Sequence, residues 1–127
     1  MPQMASSLLP PAVAVVDDDP GVRSALTFSL ETAGLGVAPF ADARSMLQSA
    51  GEPRWACLVL DYRLPEMSGL DLLRRLRALG VAAPAILITS NPSKQTRAAA
   101  LAAGVEIVEK PLLDDALVCR ISALVRN

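Results

Sequence analysis

From residue 12 onward, short, wholly apolar runs alternate with longer segments whose apolar residues return every three or four positions. The first run, Ala12-Val13-Ala14-Val15-Val16, ends abruptly at Asp17-Asp18-Asp19-Pro20. Val22, Ala25, Leu26, Leu30 and Ala33 then recur at helical spacing until Gly34 stops them. Leu35 to Phe40 reads as a weak strand. Its Gly36 and Pro39 belong at a sheet edge, because proline cannot donate to an interior ladder. Asp42 to Ala50 is a short helix. The second strong run, Ala56-Cys57-Leu58-Val59-Leu60, ends at Asp61. A helix follows from about Ser68, with Leu72, Leu73, Leu76 and Leu79 on one face and Arg74, Arg75 and Arg77 off it. Ala85-Ile86-Leu87-Ile88 ends at Thr89, and Ser93 to Ala103 is an alanine-rich helix. Val105 to Val108 is a shorter strand, interrupted by Glu106, that leads to Lys110-Pro111. The last helix carries Leu113, Leu117, Ile121 and Leu124 on its inner face.

This is a β-α unit repeated five times without repeated sequence. Strands that are apolar throughout need cover on both faces, which means a parallel sheet between two helix layers. The pattern predicts a single α/β domain over residues 12–127 with a doubly wound five-stranded sheet. Residues 1–11 read as a disordered lead-in closed by Pro10-Pro11.

Composition narrows the chemistry. The chain has 127 residues, of which 52% are hydrophobic and only 3% aromatic, so aliphatic side chains must fill the core. Twelve Lys and Arg against 13 Asp and Glu leave a net charge of −1, without the basic field that phosphate backbones demand. Histidine is absent, which removes histidine-based triads, histidine metal ligands and an internal phosphohistidine relay. Cys57 and Cys119 lie far apart in apolar surroundings and read as two buried, reduced thiols of a cytoplasmic protein. No apolar run approaches the ~20 residues of a membrane span, and the N-terminus lacks the pattern of an export signal.

In an open parallel sheet, ligands bind at the carboxyl ends of the strands. Asp17 and Asp18 follow the first strand, Asp61 the third, Thr89 the fourth and Lys110 the fifth. Singly, each has an ordinary role as a helix cap or a solvated turn residue. Together they fall on one rim. Two carboxylates ~4 Å apart repel by about 4 kcal/mol at an effective dielectric near 20, so the three acids need a compensating cation or protons. An all-oxygen donor set is the pattern of a hard cation, and Mg²⁺ fits best where a phosphate shares its shell. Thr89 offers a hydroxyl to a phosphoryl oxygen and Lys110 a positive charge. Asp61, at the tip of the longest buried strand, is the natural nucleophile.

These residues resemble the receiver domains of two-component response regulators. Val15-Val16-Asp17-Asp18-Asp19-Pro20 is similar to the family's first acidic strand end. Leu58 to Gly69, with Asp61, Pro65, Met67 and Gly69, resembles its phosphoacceptor segment. Ile86-Leu87-Ile88-Thr89-Ser90 is similar to its switch threonine followed by a small residue. Glu109-Lys110-Pro111 resembles its lysine and the proline after it, which is usually joined by a cis bond. The likeness spans about residues 12 to 126. It implies a flavodoxin-like (β/α)5 fold with strand order 2-1-3-4-5, an order borrowed from the family. It implies that Asp61 accepts a phosphoryl group from a histidine kinase. Asp17, Asp18, Asp61 and the backbone carbonyl of Arg63 would hold Mg²⁺, and Thr89 and Lys110 would contact the phosphoryl oxygens. Phosphorylation would then be reported on the face of helix 4, strand 5 and helix 5, a possible homodimer surface.

Asp-Tyr-Arg-Leu-Pro-Glu-Met-Ser-Gly is most similar to regulators of the nitrogen-fixation type, which place a receiver ahead of a helix-turn-helix domain. DNA would then be reached only through an output domain not present in this chain. The chain stops at Asn127, which fits either a stand-alone receiver or part of a longer transcription regulator. Two positions depart from the family. Ile107 stands where an aromatic switch residue is common, and Leu112 where a phenylalanine is familiar.

Three other readings compete. A pseudo-receiver would bind partners without phosphorylation, and only Ile107 gives it a footing. An aspartyl-phosphate phosphatase wants a second Asp two residues after the nucleophile, where this chain has Arg63. A flavin-binding module needs a Ser/Thr/Gly-rich phosphate loop after the first strand, where carboxylates would repel the cofactor. The arginines at 74, 75 and 77 read as a solvated face, and the alanine run at 98–103 as helix-forming filler or part of a dimer surface.

Overall fold

The computed structural model describes residues 12–49, 55–112 and 115–126. Five parallel strands, β1 (Ala12–Val16), β2 (Gly36–Phe40), β3 (Trp55–Asp61), β4 (Ala85–Thr89) and β5 (Glu106–Glu109), form one sheet. They alternate with α1 (Pro20–Thr32), α2 (Ala43–Gln48), α3 (Gly69–Ala78), α4 (Lys94–Ala102) and α5 (Ala116–Arg126). The strand order is β2-β1-β3-β4-β5, as the resemblance implies. The proline-bearing β2 takes one edge, the four-residue β5 the other, and the seven-residue β3 the centre.

Alternation along the central strands divides the core in two. Ala14, Val16, Leu58, Leu60 and Leu87 face α2, α3 and α4, meeting Met46, Leu72, Leu76 and Ala100. Val13, Val15, Cys57, Val59, Ile86 and Ile88 face α1 and α5, meeting Leu26, Leu30, Leu117 and Ile121. The period-two pleat thus supplies one apolar face to each helix layer. The lateral strands differ from the uniformly apolar expectation: β5 buries no residue fully and β2 buries only Val37.

Helix starts follow local chemistry. Asp19, Asp42, Ser68 and Ser93 each place a side-chain oxygen on free N–H groups of the turn that follows, and α1 begins at Pro20, which has no N–H to leave unpaired. The helix starts expected at Asp42, Ser68 and Ser93 are therefore the caps themselves, one residue outside helices that begin at Ala43, Gly69 and Lys94. The expected lead-in at 1–11 and Leu113 of the last helix lie outside the described residues.

Three expectations are corrected. Leu79 is 62% exposed, because it is the cap residue ending α3, where the chain leaves the helix before Gly80. Cys119 is exposed while Cys57 is fully buried. With Leu117 and Ile121 turned inward, a residue midway between them on α5 faces outward. Arg77 is more than a solvated side chain: its Nη1 donates to the carbonyls of Val81 and Ala83 at 2.9 and 2.7 Å, holding the α3–β4 turn.

Among the described residues no helix is long and apolar enough to cross a membrane.

Candidate functional site

The carboxyl ends of β1, β3, β4 and β5 open into a cleft of about 470 Å³ lined by Asp18, Asp19, Asp61, Arg63, Thr89, Ser90, Asn91 and Lys110. Asp17 forms the buried floor, with no exposed surface. Each of these side chains sits where a strand of the sheet runs out, so the sheet fixes its backbone at the rim of the cleft.

Carboxylate oxygens of Asp17, Asp18 and Asp61 all lie within 4.8 Å of one another. The β1–α1 turn that presents the first two is tied down on several sides. The Asp17 N–H donates to the Phe40 carbonyl at 3.1 Å, and the Asp19 N–H donates to Asp17 Oδ1 at 2.9 Å. The Arg23 guanidinium donates to the Asp17 carbonyl oxygen at 2.7 Å. Asp18 is exposed.

Lys110 reaches across from the end of β5. Its Nζ lies 3.1 Å from Asp17 Oδ2 and 3.5 Å from Asp61 Oδ2, with the lysine side chain only 19% exposed. One ammonium thus faces a triad of carboxylates. Asp17 Oδ2 is buried and, despite the ammonium beside it, has no hydrogen bond of good geometry. The Lys110–Pro111 peptide is cis, as the resemblance implies, and the Lys110 N–H donates to the Thr89 carbonyl at 2.8 Å.

The imbalance of charge shows in the acidities. Burial, then the nearby Asp17 charge, push the Asp61 carboxyl up to about 6, against the opposing pull of Lys110 and of the Arg63 N–H. That N–H points at Asp61 Oδ1 from 3.4 Å. Burial works to lower the Lys110 value, but the Asp17 carboxylate 3.1 Å away and the charge of Asp61 outweigh it and hold the ammonium above its ordinary range. Lys110 therefore stays charged at neutral pH, while Asp61 is poised just below it.

The donor set suits a hard divalent cation. Three carboxylates offer oxygen, one of those oxygens is a buried acceptor without a hydrogen bond, and among the described residues no cysteine or histidine joins the cluster.

Residues 13–122 match the family described as response regulator receiver domain. The chain belongs to that family. This receiver domain is 34% identical over 116 residues to the transcriptional regulatory protein FixJ of Bradyrhizobium diazoefficiens, a match covering 91% of this chain and 57% of FixJ. It is 41% identical over 106 residues to nodulation protein W of the same organism, covering 83% of this chain and 47% of that protein. The receiver domain thus spans about half the length of the curated relatives it matches. Among solved structures, FixJ-N is similar with a TM-score of 0.78 at 34% identity, covering 90% of this chain and 91% of that one. A CheY-like receiver domain from Methanospirillum hungatei JF-1 gives 0.83 at 25%, covering 91% and 93%.

All the candidates read from the receiver sequence lie at this cleft: Asp17, Asp18, Asp61, Arg63, Thr89 and Lys110. Thr89 is buried, and among the described residues its Oγ1 has only a long 3.5 Å contact to the Ser90 carbonyl. Sequence reasoning missed Arg23, Asn91 and the packing role of Gly69. Asn91 lines the cleft with a positive φ of 48°, a conformation that Asn tolerates well. At Gly69 a Cβ would run into the Asp61 backbone carbonyl oxygen and lie 3.0 Å from the Leu87 side chain. A glycine opening a helix just after an acidic strand end is a readable signal for such close approach; a guanidinium bonded to a carbonyl six residues back is not.

Proposed function

We propose that this chain is a phosphorylation-dependent signalling module of a two-component system, in which Asp61 takes a phosphoryl group from a histidine kinase in a Mg²⁺-dependent transfer. The observation that carries the reading is Lys110 Nζ set between Asp17 and Asp61, 3.1 and 3.5 Å from their oxygens, at the edge of a three-carboxylate cluster. Family membership and the transcriptional relatives support it.

Asp17, Asp18 and Asp61, with the backbone carbonyl of Arg63, would hold Mg²⁺. The ion, when bound, neutralises charge that the acceptor and the phosphoryl oxygens would otherwise set against each other. An Asp61 oxygen attacks phosphorus as the P–N bond of the donor phosphohistidine breaks, and the released imidazole keeps the electron pair and takes a proton from solvent. With its acidity near 6, Asp61 is ionised and nucleophilic at neutral pH. Lys110 holds a phosphoryl oxygen by charge, and the Thr89 hydroxyl donates to another. Catalysis is confined to this transfer and to hydrolysis of the chain's own acyl phosphate.

Thr89 pairs in register with Glu109 of β5, and Glu109 meets Arg97 of α4 at 3.2 Å. A pull on Thr89 and Lys110 is thereby felt on the α4–β5–α5 face, which in this reading serves a homodimer or an output domain outside these residues. DNA is reached through that output domain, in the cytoplasm. A largely apolar cleft of about 440 Å³ between α1 and α5, with Lys110 in its lining, gives a protein donor a place to seat near the acceptor.

Intact mass after incubation with acetyl phosphate and Mg²⁺ tests the reading. One phosphoryl adduct on wild type and none on Asp61→Asn is the expected result. An adduct that persists in Asp61→Asn refutes the choice of nucleophile. Absence of both an adduct and a stable beryllofluoride complex, with Mg²⁺ binding intact, would favour a pseudo-receiver.

A further inference from the structure

We infer that Arg23 is a positioning residue for the cation site: its guanidinium, by holding the main-chain carbonyl of Asp17, sets the pose of the β1–α1 turn in which Asp17 and Asp18 receive a divalent cation. This rests on the Mg²⁺-dependent reading of the cluster.

The turn has to satisfy a conflict. It must point two carboxylates at a third, against their mutual repulsion, and do so before any cation arrives. The Asp17 side chain is held by the Asp19 N–H at Oδ1 and by the Lys110 charge at Oδ2. The Asp17 N–H is held by Phe40. The remaining polar group of that residue, its carbonyl, lies beyond the end of the β1 ladder, where no strand partner is available. Arg23 fills that vacancy at 2.7 Å, the shortest of the bonds that fix the turn. The same peptide unit carries the N–H of Asp18, so the bond sets the plane from which the exposed Asp18 side chain departs.

Arg23 is itself well placed for this. It lies one turn into α1, its N–H donates to the Asp19 carbonyl at 3.0 Å, and its own carbonyl accepts from Thr27 Oγ1 at 2.8 Å. The guanidinium is half-buried and makes no ion pair shorter than 4.0 Å among the described residues. Two effects on a cation then oppose each other. The positive charge repels it, but solvent screens that at a half-exposed site. The bond prevents the turn from relaxing away from the other carboxylates, and that effect dominates, since a ligand pair that must first be ordered binds more weakly by the cost of ordering it.

The test compares the wild-type chain, Arg23→Met and Arg23→Lys. Mg²⁺ alone is titrated calorimetrically, and phosphorylation by acetyl phosphate is followed as a function of Mg²⁺. Arg23→Met keeps the stem and removes the donor. It is expected to weaken Mg²⁺ binding about tenfold and to raise the Mg²⁺ needed for half-maximal phosphorylation by the same factor. The rate at saturating Mg²⁺ stays as in wild type. Arg23→Lys, which can still donate, recovers most of the affinity. In Mg²⁺-free solution, the Asp18 amide exchanges faster in Arg23→Met than in wild type. Unchanged or tighter Mg²⁺ binding in Arg23→Met, beside wild type that binds, overturns the role of Arg23 and leaves the site reading intact. So does a fall in the saturating rate without a change in affinity. Wild type that binds no Mg²⁺ overturns the site reading, and this inference with it.

Discussion

Replacing Asp61 by Asn should stabilise the cation-free protein. Asp61 is buried beside Asp17, and a single ammonium serves both. Its rise from an ordinary 3.8 to about 6 corresponds to about 3 kcal/mol of cost for the ionised form. The carboxylate faces an open cleft, and solvent screening there leaves roughly half of that, about 1.5 kcal/mol. For a domain of this size the gain is about 6 °C in Tm. The sign with pH follows from linkage. A carboxyl whose folded value lies above its unfolded value favours the folded state fully below about pH 4, and that contribution is lost as pH rises through about 6. The advantage of Asn should therefore be absent near pH 4, grow between about 4 and 6, and stay constant above. Thermal unfolding in a chelating buffer across that range reads it directly. Saturating Mg²⁺ should narrow the gap, because the cation stabilises the wild-type cluster and not the variant. An Asp61→Asn protein less stable than wild type near pH 7.5 without cation would refute the reasoning, making Asp61 a net stabilising partner of Lys110.

Four further outcomes follow from the same geometry. Asp18→Asn, at an exposed position, should leave cation-free stability within about 0.5 kcal/mol of wild type yet remove measurable Mg²⁺ binding by calorimetry. Lys110→Met leaves the fully buried Asp17 without its counter-charge, and denaturant unfolding near neutral pH should show a loss of about 3 kcal/mol. Gly69→Ala forces α3 away from the Asp61 backbone, so a loss of about 3 kcal/mol in the same assay is expected, with the acceptor displaced and phosphorylation slowed. Under native conditions iodoacetamide should label Cys119 and spare Cys57, which is buried and whose thiol burial pushes up to about 12; mass mapping of the labelled cysteine checks this.

Much of this was legible in the chain because the central strands are continuously apolar and each gives way abruptly to polar residues at its carboxyl end. That pattern carries both the two-sided sheet and the rim on which Asp17, Asp18, Asp61, Thr89 and Lys110 meet. What was not legible depends on angles that periodicity leaves free. Leu79 continues the apolar spacing of α3, but the helix ends there and the side chain turns to solvent. Cys119 sits among apolar neighbours in sequence while the rotation set by Leu117 and Ile121 turns it out. The Arg23 bond to Asp17 arises from the shape of a turn, and the Arg77 bonds to Val81 and Ala83 do too. Ile107 and Leu112, the two departures from the family, are half-buried and pack on opposite faces of the sheet, so aliphatic side chains fill those places without an aromatic ring.

The central claim is that Asp61 itself carries the phosphoryl group, and the most direct test is to find that group in the sequence. After incubation with acetyl phosphate and Mg²⁺, borohydride reduces an acyl phosphate to the alcohol, turning the modified aspartate into homoserine. Peptide sequencing by mass spectrometry then reads the position. The account predicts homoserine at 61 alone, and only when Mg²⁺ was present. Homoserine at 17 or 18, or at 61 regardless of Mg²⁺, would contradict it.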